Sequence, residues 1–355
     1  MYLESLWVQG FRVLEDKHLQ ELGPLVVVEG ENGAGKTTLL DAIYFLASGR
    51  SFLGMTNGEL VRDGSAYFVV GGEYKSYDSV ARVPLLHSVQ ALYTAEGHKE
   101  ARIDGTIYRG FIHLIGGLRV MQFNFNSVFL VKGMPSVRRQ FLNLLIASCD
   151  RRYLETLSSY NSVVSRKNVL LKQGIVGEGN RSLLDLFDEQ IVRLSNSIYA
   201  QRRTALVAIN GDMERLIGEG LFGRLAGIRI SYETQDLDAE TLRSAREREI
   251  VRHMCLAGCH LDDFVLTRNG RPLRETASLG EAKITSLLLT FAGAEYVRSM
   301  SGEYPVLLLD DLEGDIDAQN MTRVTRLLRC FEQTFVTSFD VERLGGNLSA
   351  VRIQL

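Results

Sequence analysis

An eight-residue segment, Gly30-Glu31-Asn32-Gly33-Ala34-Gly35-Lys36-Thr37, has the residue types and spacing of a phosphate-binding loop. Glycines let the backbone turn so that its N–H groups face inward at a helix N-terminus, where the helix dipole favours anions. In this motif Lys36 reaches the β- and γ-phosphates and the Thr37 hydroxyl binds Mg²⁺. An apolar run at 25–28 precedes the segment and a helical pattern at 37–47 follows it, which is the context the motif requires. The sequence therefore predicts that residues 30–38, ending at Thr38, bind a nucleotide.

A second apolar run, Val306-Leu307-Leu308-Leu309, ends at Asp310 and Asp311. A strand covered on both faces would deliver these carboxylates at its C-terminal end, beside the glycine-rich loop. We expect Asp310 to hold Mg²⁺ through water, and Asp311 to position or deprotonate the attacking water. Lys36, Asp310 and Asp311 are thus the predicted catalytic residues. The sequence has no Asn-Lys-x-Asp motif for reading guanine, so ATP with Mg²⁺ is the expected ligand.

A third candidate anion site is Ser278-Leu279-Gly280-Glu281, just before a helical pattern. A serine and a glycine at a helix N-terminus expose backbone N–H groups to an anion. The segment lies about 30 residues before the acidic strand, where ATP-binding-cassette ATPases carry the signature motif that completes the active site of the opposite subunit. We therefore expect Ser278 and Gly280 to contact ATP across a homodimer. Arg12, near the end of the first strand, is a further candidate for the phosphates, with an ordinary surface arginine as the alternative.

The elements that must position these residues form two parts. Strand patterns occur at 2–9 and 25–29, and an alternating, turn-rich stretch at 66–108 predicts an antiparallel meander. Helical spacing dominates residues 136–172 and 182–218, and a strand pattern follows at 227–233. The pattern of the C-terminal part predicts helix 280–298, strand 306–309, helix 318–331 and strand 334–337. The expected fold is α/β: an ATP-binding-cassette-like P-loop head with a mixed sheet and a β meander, plus an inserted helical arm. We place the head at 1–115 and 255–355 and the arm at 116–254.

Composition narrows the function classes. The 355 residues are 45% hydrophobic and 23% charged with a net charge of −3, so a core can be buried and nucleic acid must be attracted by a local basic surface. No apolar run is long enough to span a membrane and the first residues do not resemble a signal peptide, which predicts a soluble, cytoplasmic protein. Cys255, Cys259 and His260 lack a fourth ligand, so a metal site is not expected there.

A basic island in this acidic chain lies between 132 and 172. Its residues are the candidates for gripping DNA phosphates without reading bases: Lys132, Arg138, Arg139, Arg151, Arg152, Arg166 and Lys167. A solvated helix face is the alternative interpretation, and the residues alone do not decide between the two.

With these motifs in place, the sequence resembles the RecF family, cytosolic ATPases of bacterial recombinational DNA repair. The resemblance runs over nearly the whole chain and rests on the order and spacing of several segments: Phe11-Arg12, 30–38, Leu40-Asp41-Ala42-Ile43-Tyr44, 47–51, 130–135, 138–142, 166–172, His260, Asp262-Asp263, 269–271, the signature, 308–311 and Asp317. It implies a head similar to those of SMC proteins, with a helical arm replacing their coiled coil. It also implies ATP-dependent homodimerisation on double-stranded or gapped DNA, or on a junction with single strands. The same resemblance implies a weak DNA-stimulated ATPase activity and RecR as a partner. It also implies RecA loading together with RecO, in recombination and the SOS response.

The chain departs from the family pattern near the expected ATP sandwich. Glu281 and Ala282 stand where glutamines are usual, Gly314 replaces a serine, 125–127 replaces Pro-Glu-Asp, and Leu261 replaces an arginine. We therefore predict weak hydrolysis or looser dimerisation. A nucleotide-binding scaffold that no longer hydrolyses ATP stays open as an alternative. A transporter ATPase subunit is a further alternative, although it would need a histidine near 340, and a nuclease-associated head would need a long coiled coil that the chain lacks.

Overall fold

The computed structural model describes residues 1–78, 83–173, 178–220, 222, 225–234, 237–312, 324–337 and 350–355. The chain forms two compact units. One comprises Met1–Val128, Asp212–Ala226 and Ala277–Leu355, and the other comprises Phe129–Gly211 and Gly227–Thr276. We call them the head and the arm.

The head contains an antiparallel sheet of six strands. In chain order these are β1 (Tyr2–Phe11), β2 (Leu14–Leu19), β4 (Tyr67–Asp78), β5 (Val83–Thr94), β6 (Lys99–Ile103) and β7 (Thr106–Arg109), and they lie side by side in the order β2-β1-β4-β5-β6-β7. Asp104 and Gly105 join β6 to β7 with positive φ angles of 47° and 81°, the backbone of a two-residue hairpin turn. The alternating stretch at 66–108 is thus the meander that the sequence predicts.

A second sheet in the head is wholly parallel. Its strands are β3 (Leu25–Glu29), β8 (Val120–Phe123), β12 (Val306–Leu309), β13 (Thr334–Thr337) and β14 (Ala350–Gln354), in the spatial order β14-β3-β13-β12-β8. Side chains at 26–28 and 306–309 are at most 1% exposed, because both faces of the sheet are covered. That burial explains why these strands are continuous apolar runs instead of alternating ones. The predicted mixed sheet is therefore two separate sheets, one antiparallel and one parallel.

Helices α1 (Lys36–Ser48) and α8 (Leu279–Ser301) carry the predicted nucleotide motifs of the head. Phe45 of α1 packs edge-to-face against Phe11, Phe68 and Phe111, with ring centroids 6.0, 5.2 and 5.1 Å away. This aromatic cluster holds α1 on the antiparallel sheet. The N-terminus of α1, where the glycine-rich loop ends, is thereby held fixed.

The arm is mainly helical. Its helices are α2 (Phe129–Lys132), α3 (Pro135–Cys149), α4 (Arg151–Gln173), most of α5 (Glu178–Gly218), α6 (Ala239–Arg252) and α7 (Leu273–Thr276), and its strands β9 (Ile228–Glu233), β10 (Asp263–Arg268) and β11 (Arg271–Pro272) form a sheet in the order β11-β10-β9. Arg202 of α5, 2% exposed, donates hydrogen bonds to Asp262 Oδ2 at 2.6 Å and to the Cys259 carbonyl at 2.8 Å. A buried guanidinium of this kind is tolerated only when its donors are satisfied, and here it ties α5 to the start of β10.

The units differ from the predicted segments in three places. Residues 116–128 and 212–226 lie in the head and residues 255–276 lie in the arm, the reverse of the predicted assignment. Strand β10 reads as a head strand in the sequence because local pattern cannot reveal its partner, and the structure pairs it with β9 of the arm. Residues 324–328 are helical, while the rest of the predicted helix before 324, and the segment 338–340 used to compare with transporter subunits, lie outside the described residues.

Candidate nucleotide site

The glycine-rich loop has the backbone that phosphate binding requires. Strand β3 leads into Gly30, and Gly30, Gly33 and Gly35 have φ angles of 153°, 88° and 108°, a region that side chains rarely adopt. Gly35 is also the residue before α1, and a Cβ atom there would lie 2.9 Å from Leu14 Cδ2. Glycine is therefore needed for both conformation and space, and the loop N–H groups lie at a helix N-terminus.

The side chain of Lys36 folds back onto this loop. Its ammonium nitrogen donates hydrogen bonds to the carbonyl oxygens of Gly30, at 2.7 Å, and Glu31, at 3.0 Å. Residues Glu31, Asn32 and Gly33 are exposed, whereas Thr38 is buried. Within the part of the chain that the structure describes, the Lys36 ammonium is bound by loop carbonyls alone. An anion can therefore bind between this charge and the loop N–H groups, so the loop fits nucleotide phosphates.

The buried Asp310 and Thr337 form an oxygen cluster with the half-buried Thr37 beside the loop. The hydroxyls of Thr37 and Thr337 donate to the same carboxylate oxygen, Asp310 Oδ1, at 3.1 and 2.8 Å. Burial raises the pKa of Asp310, while the bonds from Thr337 and Thr37 lower it. A hydroxyl and a carboxylate are hard oxygen ligands, so Thr37 and Asp310 fit Mg²⁺. Thr337 is not one of the predicted site residues. It could have been identified only from the strand order, because β13 lies between β3, which leads into the loop, and β12, which ends at Asp310.

Asp311 follows on the solvent side of this cluster. Its side chain is exposed, its φ angle is 52°, and its N–H donates to Thr337 Oγ1 at 3.0 Å. The left-handed backbone directs the chain away from the strand immediately after Asp310. An exposed carboxylate one residue beyond the buried one is available to water, and its catalytic role stays a prediction.

Asp41 is a buried carboxylate near the site, and it is not one of the predicted site residues. It is fully buried in α1 and accepts hydrogen bonds from Ser51 Oγ at 2.7 Å and Phe52 N at 2.8 Å. Burial raises its pKa to about 6, partly offset by those two bonds and by the charge of Arg12, and the charge of Asp310 raises it further. Arg12 has a φ angle of 52° in the β1–β2 turn, whose next two residues pack against Gly35. The structure therefore brings Arg12 close to the loop.

The signature segment forms an exposed helix start. Ser278 is the N-cap of α8, and its hydroxyl accepts from Glu281 N at 3.1 Å. Ser278 is exposed, Leu279 is 60% exposed, and the space beside the Gly280 Cα is open. This helix start can therefore meet a second molecule. Gly314, one of the departures, lies outside the described residues.

The predicted DNA-binding set divides into buried and exposed residues. Arg138 is 3% exposed and forms a bidentate pair with Asp263 at 2.7 Å, and Lys167 is 1% exposed and contacts Asp188 and Glu249 at 2.7 and 2.6 Å. The prediction that these two residues contact DNA is therefore wrong, because a cation that is at most 3% exposed and paired with carboxylates cannot reach a phosphate.

The other predicted contacts reach the surface to different degrees. Lys132 and Arg139 are half-buried and donate to the carbonyls of Arg274 and Asp262. The three fully exposed members of the set lie on α4: Arg151, Arg152 and Arg166. They are the ones whose donors can reach a phosphate.

Cysteine and histidine side chains of the arm serve packing. Tyr160 OH lies 2.5 Å from His260 Nδ1, and His260 Nε2 lies 3.2 Å from the Cys255 carbonyl, so Nε2 carries the proton and Nδ1 accepts from the tyrosine. Burial lowers the pKa of His260 and raises that of Cys255 and Cys259 to about 11. Among the described residues no cluster of three or more His, Cys, Asp or Glu side chains could hold a metal ion. Within the same residues, the helices are all too short or too polar to cross a bilayer.

Comparisons with known proteins place this site in a family. The family model described as RecF/RecN/SMC N terminal domain matches residues 2–354. The DNA replication and repair protein RecF of Symbiobacterium thermophilum is 31% identical over 97% of this chain and 93% of its own, and that of Bacillus subtilis is 28% identical over 96% and 94%.

Solved structures agree with this placement. One described as the recombination mediator protein RecF-ATP in the RecFOR pathway has a TM-score of 0.86 at 25% identity, covering 99% of this chain and 97% of that one. An Smc head domain from Pyrococcus furiosus, at 16% identity and a TM-score of 0.54 over 99% of this chain and 93% of that one, shares the fold. The chain therefore belongs to the RecF/RecN/SMC N-terminal-domain family and, within it, to the RecF proteins, which confirms the resemblance read from its motifs.

Proposed function

We propose that this chain is an ATP-dependent DNA-binding protein of recombinational repair, in which ATP joins two copies on DNA and slow hydrolysis separates them. The observation that carries the proposal is the convergence of the half-buried Lys36 and Thr37 with the buried Asp310, while Ser278 of the same head is exposed. The first three supply a cation and two Mg²⁺ ligands, and the fourth supplies an anion-binding helix start for a different molecule. The relatives named for DNA repair, and the solved RecF-ATP structure, support the same reading.

Bound Mg²⁺–ATP would supply the hydrolysable phosphoanhydride bond and a dication that neutralises phosphate charge. The chain's own residues bind and orient it: the loop N–H groups and Lys36 hold the phosphates, and Thr37 and Asp310 hold the ion. Asp311 is the proposed acceptor for the proton of the attacking water. Ser278 of a second copy would then close on the γ-phosphate, so that nucleotide and dimerisation stabilise each other.

DNA binding is assigned to the exposed face of α4. Arg152 and Arg166 are 14 residues apart on one stripe, about 21 Å along the helix, which corresponds to about six base pairs of a DNA strand. Four serines lie on the same exposed face, at 158, 159, 162 and 165, and Lys172 extends it. The one carboxylate on this face, Glu155, pairs with Arg151 at 3.2 Å, whereas Arg152, Arg166 and Lys172 form no ion pair with another described residue. Cations between small hydroxyl side chains suit phosphate contact without base reading.

A mass measurement tests the clamp. Light scattering of the wild-type chain with gapped DNA should show a doubling of protein mass on adding ATP, and Lys36→Met should abolish it because the phosphates lose their cation. Ser278→Arg should keep nucleotide binding and lose the doubling, since that residue acts only on the second copy. If ATP changes neither the mass nor the DNA affinity of the wild type, the proposal fails.

A salt titration tests the DNA face. Replacing Arg152, Arg166 and Lys172 by alanine should lower the slope of log affinity against log salt by about 2 to 3, at roughly 0.9 per phosphate contact. Alanine at Lys99 and Arg109, exposed basic residues of the head, is the matched control and should leave the slope unchanged. Equal slopes for both variants would refute the assignment.

A hydrolysis-impaired scaffold is the second candidate, favoured by Glu281. This carboxylate lies in the first turn of α8, three residues from the proposed phosphate contact Ser278, and adds negative charge to an anion site. Turnover with DNA distinguishes the two: Glu281→Gln should raise hydrolysis if the charge is what slows it. RecR and RecO as partners, RecA loading and a cytoplasmic location rest on the family resemblance and remain part of the proposal.

A further inference from the structure

Three side chains of the antiparallel sheet, none of them part of the nucleotide motifs, form a continuous Ser–His–Asp series of contacts. The Ser76 hydroxyl lies 3.2 Å from His87 Nε2, and His87 Nδ1 lies 2.8 Å from Asp104 Oδ2. A carboxylate oxygen can only accept, so Nδ1 carries the proton and Nε2 accepts the hydrogen bond from the serine. The imidazole is thus in the tautomer that can remove a proton from Ser76.

Strand register brings these groups together without any local motif. Ser76 of β4 lies opposite Leu85 of β5, and His87 is two residues further along β5. Side chains two residues apart in a strand project to the same face, and a diagonal neighbour across an antiparallel pair is within reach of a long side chain. His87 therefore reaches the Ser76 hydroxyl from the adjacent strand.

The imidazole of His87 is held on two sides. Asp104 lies in the β6–β7 turn, where its Oδ1 accepts from Ser88 N at 2.9 Å, which leaves Oδ2 for the imidazole. Burial raises the pKa of Asp104, but the hydrogen bonds from His87 and Ser88 N outweigh it and hold the pKa below its ordinary value. The ring of His87 also stacks on Tyr74, which is 4% exposed, with centroids 5.1 Å apart. The base is therefore preorganised by an ionised carboxylate and a buried aromatic ring.

The serine end of this series is open to solvent. Ser76 is half-buried, and the His87 side chain is 25% exposed. On the same face, Leu85 and Val83 are 40% and 45% exposed, and they form an apolar strip beside the hydroxyl. A carboxylic ester with a short aliphatic acyl chain suits this arrangement, because the strip can contact the chain while the carbonyl carbon lies at the hydroxyl.

We propose that Ser76 is a nucleophile that hydrolyses carboxylic esters, with His87 as its general base and Asp104 as the residue that positions the base. Ser76 Oγ bonds to the ester carbonyl carbon as its proton passes to His87 Nε2, and the alcohol then leaves with that proton as its C–O bond breaks. Water attacks the acyl-serine through the same imidazole, which releases the carboxylic acid and restores Ser76. The reaction needs neither ATP nor a second copy of the chain.

The surroundings of Ser76 limit the rate of this reaction. Tyr77 N, the backbone donor that follows Ser76, donates to Glu303 Oε2 at 3.1 Å. Water, and not this N–H, would therefore solvate the tetrahedral oxyanion. The lack of one oxyanion donor lowers kcat by about 10²–10³ in serine hydrolases. We expect slow turnover that is confined to esters with a good leaving group.

Two measurements on the full chain without nucleotide test the proposal: hydrolysis of para-nitrophenyl butyrate, and labelling by a fluorophosphonate located by peptide mass spectrometry. The label should be on Ser76. Both Ser76→Ala and His87→Gln should abolish labelling and lower hydrolysis by at least about 100-fold. Ser88→Ala, at an exposed serine whose hydroxyl is outside the series, is the matched control and should keep both. Asp104→Asn should lower kcat at least about 10-fold with KM within about threefold of wild type, because the carboxylate contacts no substrate.

Three results would overturn the proposal: equal hydrolysis by the wild type and Ser76→Ala, a label on a residue other than Ser76, or unchanged labelling of His87→Gln. Ser76→Ala removes only a hydroxyl group, so it decides the matter if the other variants do not fold. Loss of labelling and hydrolysis in Ser76→Ala, with an unchanged circular dichroism spectrum, would support the proposal.

Discussion

Replacing Asp41 with asparagine should stabilise the head at neutral pH. The carboxylate is fully buried in α1 and accepts from Ser51 Oγ and Phe52 N. Burial raises its pKa from 3.8 to about 6. The folded state therefore holds this proton more tightly than the unfolded state, so the stabilising contribution is fully present below pH 3.8 and is lost as the pH rises through about 6.

The magnitude follows from that pKa difference of about 2. At about 1.4 kcal/mol per pKa unit, ionised Asp41 lowers the free energy of unfolding by about 3 kcal/mol at pH 7.5 and by about 1 kcal/mol at pH 4.5, relative to a neutral side chain. Asparagine never ionises and keeps an oxygen for Phe52 N. Its nitrogen replaces the oxygen that accepts from Ser51, which offsets the gain by about 1 kcal/mol. The expected net effect is near zero at pH 4.5 and about 2 kcal/mol of stabilisation at pH 7.5.

Thermal unfolding followed by the fluorescence of Trp7, the sole tryptophan and a head residue, measures this effect. For a unit of this size, about 2 kcal/mol raises the midpoint by roughly 4–8 °C at pH 7.5. Asp63→Asn, at an exposed aspartate, is the control and should change the midpoint little at either pH. A midpoint difference for Asp41→Asn that is the same at pH 4.5 and 7.5, or a loss of stability at pH 7.5, would refute the reasoning.

Three further predictions test the packing assignments. Lys167→Met should cost the arm about 3–5 kcal/mol in urea unfolding, because buried Glu249 loses its cation and Asp188 loses one of its two cations, Arg246 remaining. Arg166→Met, at the exposed neighbour, should cost less than about 0.5 kcal/mol, and equal costs would contradict the separation of structural from DNA-facing cations. Gly71→Ala places a methyl group 2.2 Å from the indole ring of the sole tryptophan, so at least about 2 kcal/mol of destabilisation and a shifted emission maximum are expected, and an unchanged spectrum would disprove the contact. Tyr160→Phe removes the donor to His260 Nδ1 and should lower the free energy of unfolding by about 1–3 kcal/mol at pH 8, as measured by circular dichroism. An unchanged free energy of unfolding would argue against that hydrogen bond.

Much of the nucleotide site could be predicted because its information is local. The glycine-rich loop needs residues within one turn of each other, and the two apolar strands signal their own burial through composition alone. The strand–loop–helix at 25–48 and the strand ending at Asp310 therefore lie where the pattern predicts. Family resemblance added the signature, whose sequence by itself resembles any N-cap.

What the sequence could not provide depends on partners far along the chain. Local sequence predicts Arg138 to be a surface cation, whereas in the structure it is paired with Asp263, 125 residues later. Thr337 and Asp41 gain their significance from register and helix packing, and neither belongs to a local motif. The sequence does not predict the sheet of the arm for the same reason, because the pairing of β10 with β9 depends on the tertiary fold and not on local pattern.

The neighbours of β3 also determine how this protein can be made. The strand that leads into the phosphate-binding loop pairs on one side with β13 and on the other with β14, about 300 residues later in the chain. A ribosome adding about 5–20 residues each second needs roughly 15 to 60 seconds to supply them. Throughout that time the nascent chain exposes Val26-Val27-Val28 with two unpaired edges, a segment prone to intermolecular pairing. The head thus completes its folding only after residues 350–354 have been synthesised, and we expect the newly made chain to depend on chaperones that shield this strand until then.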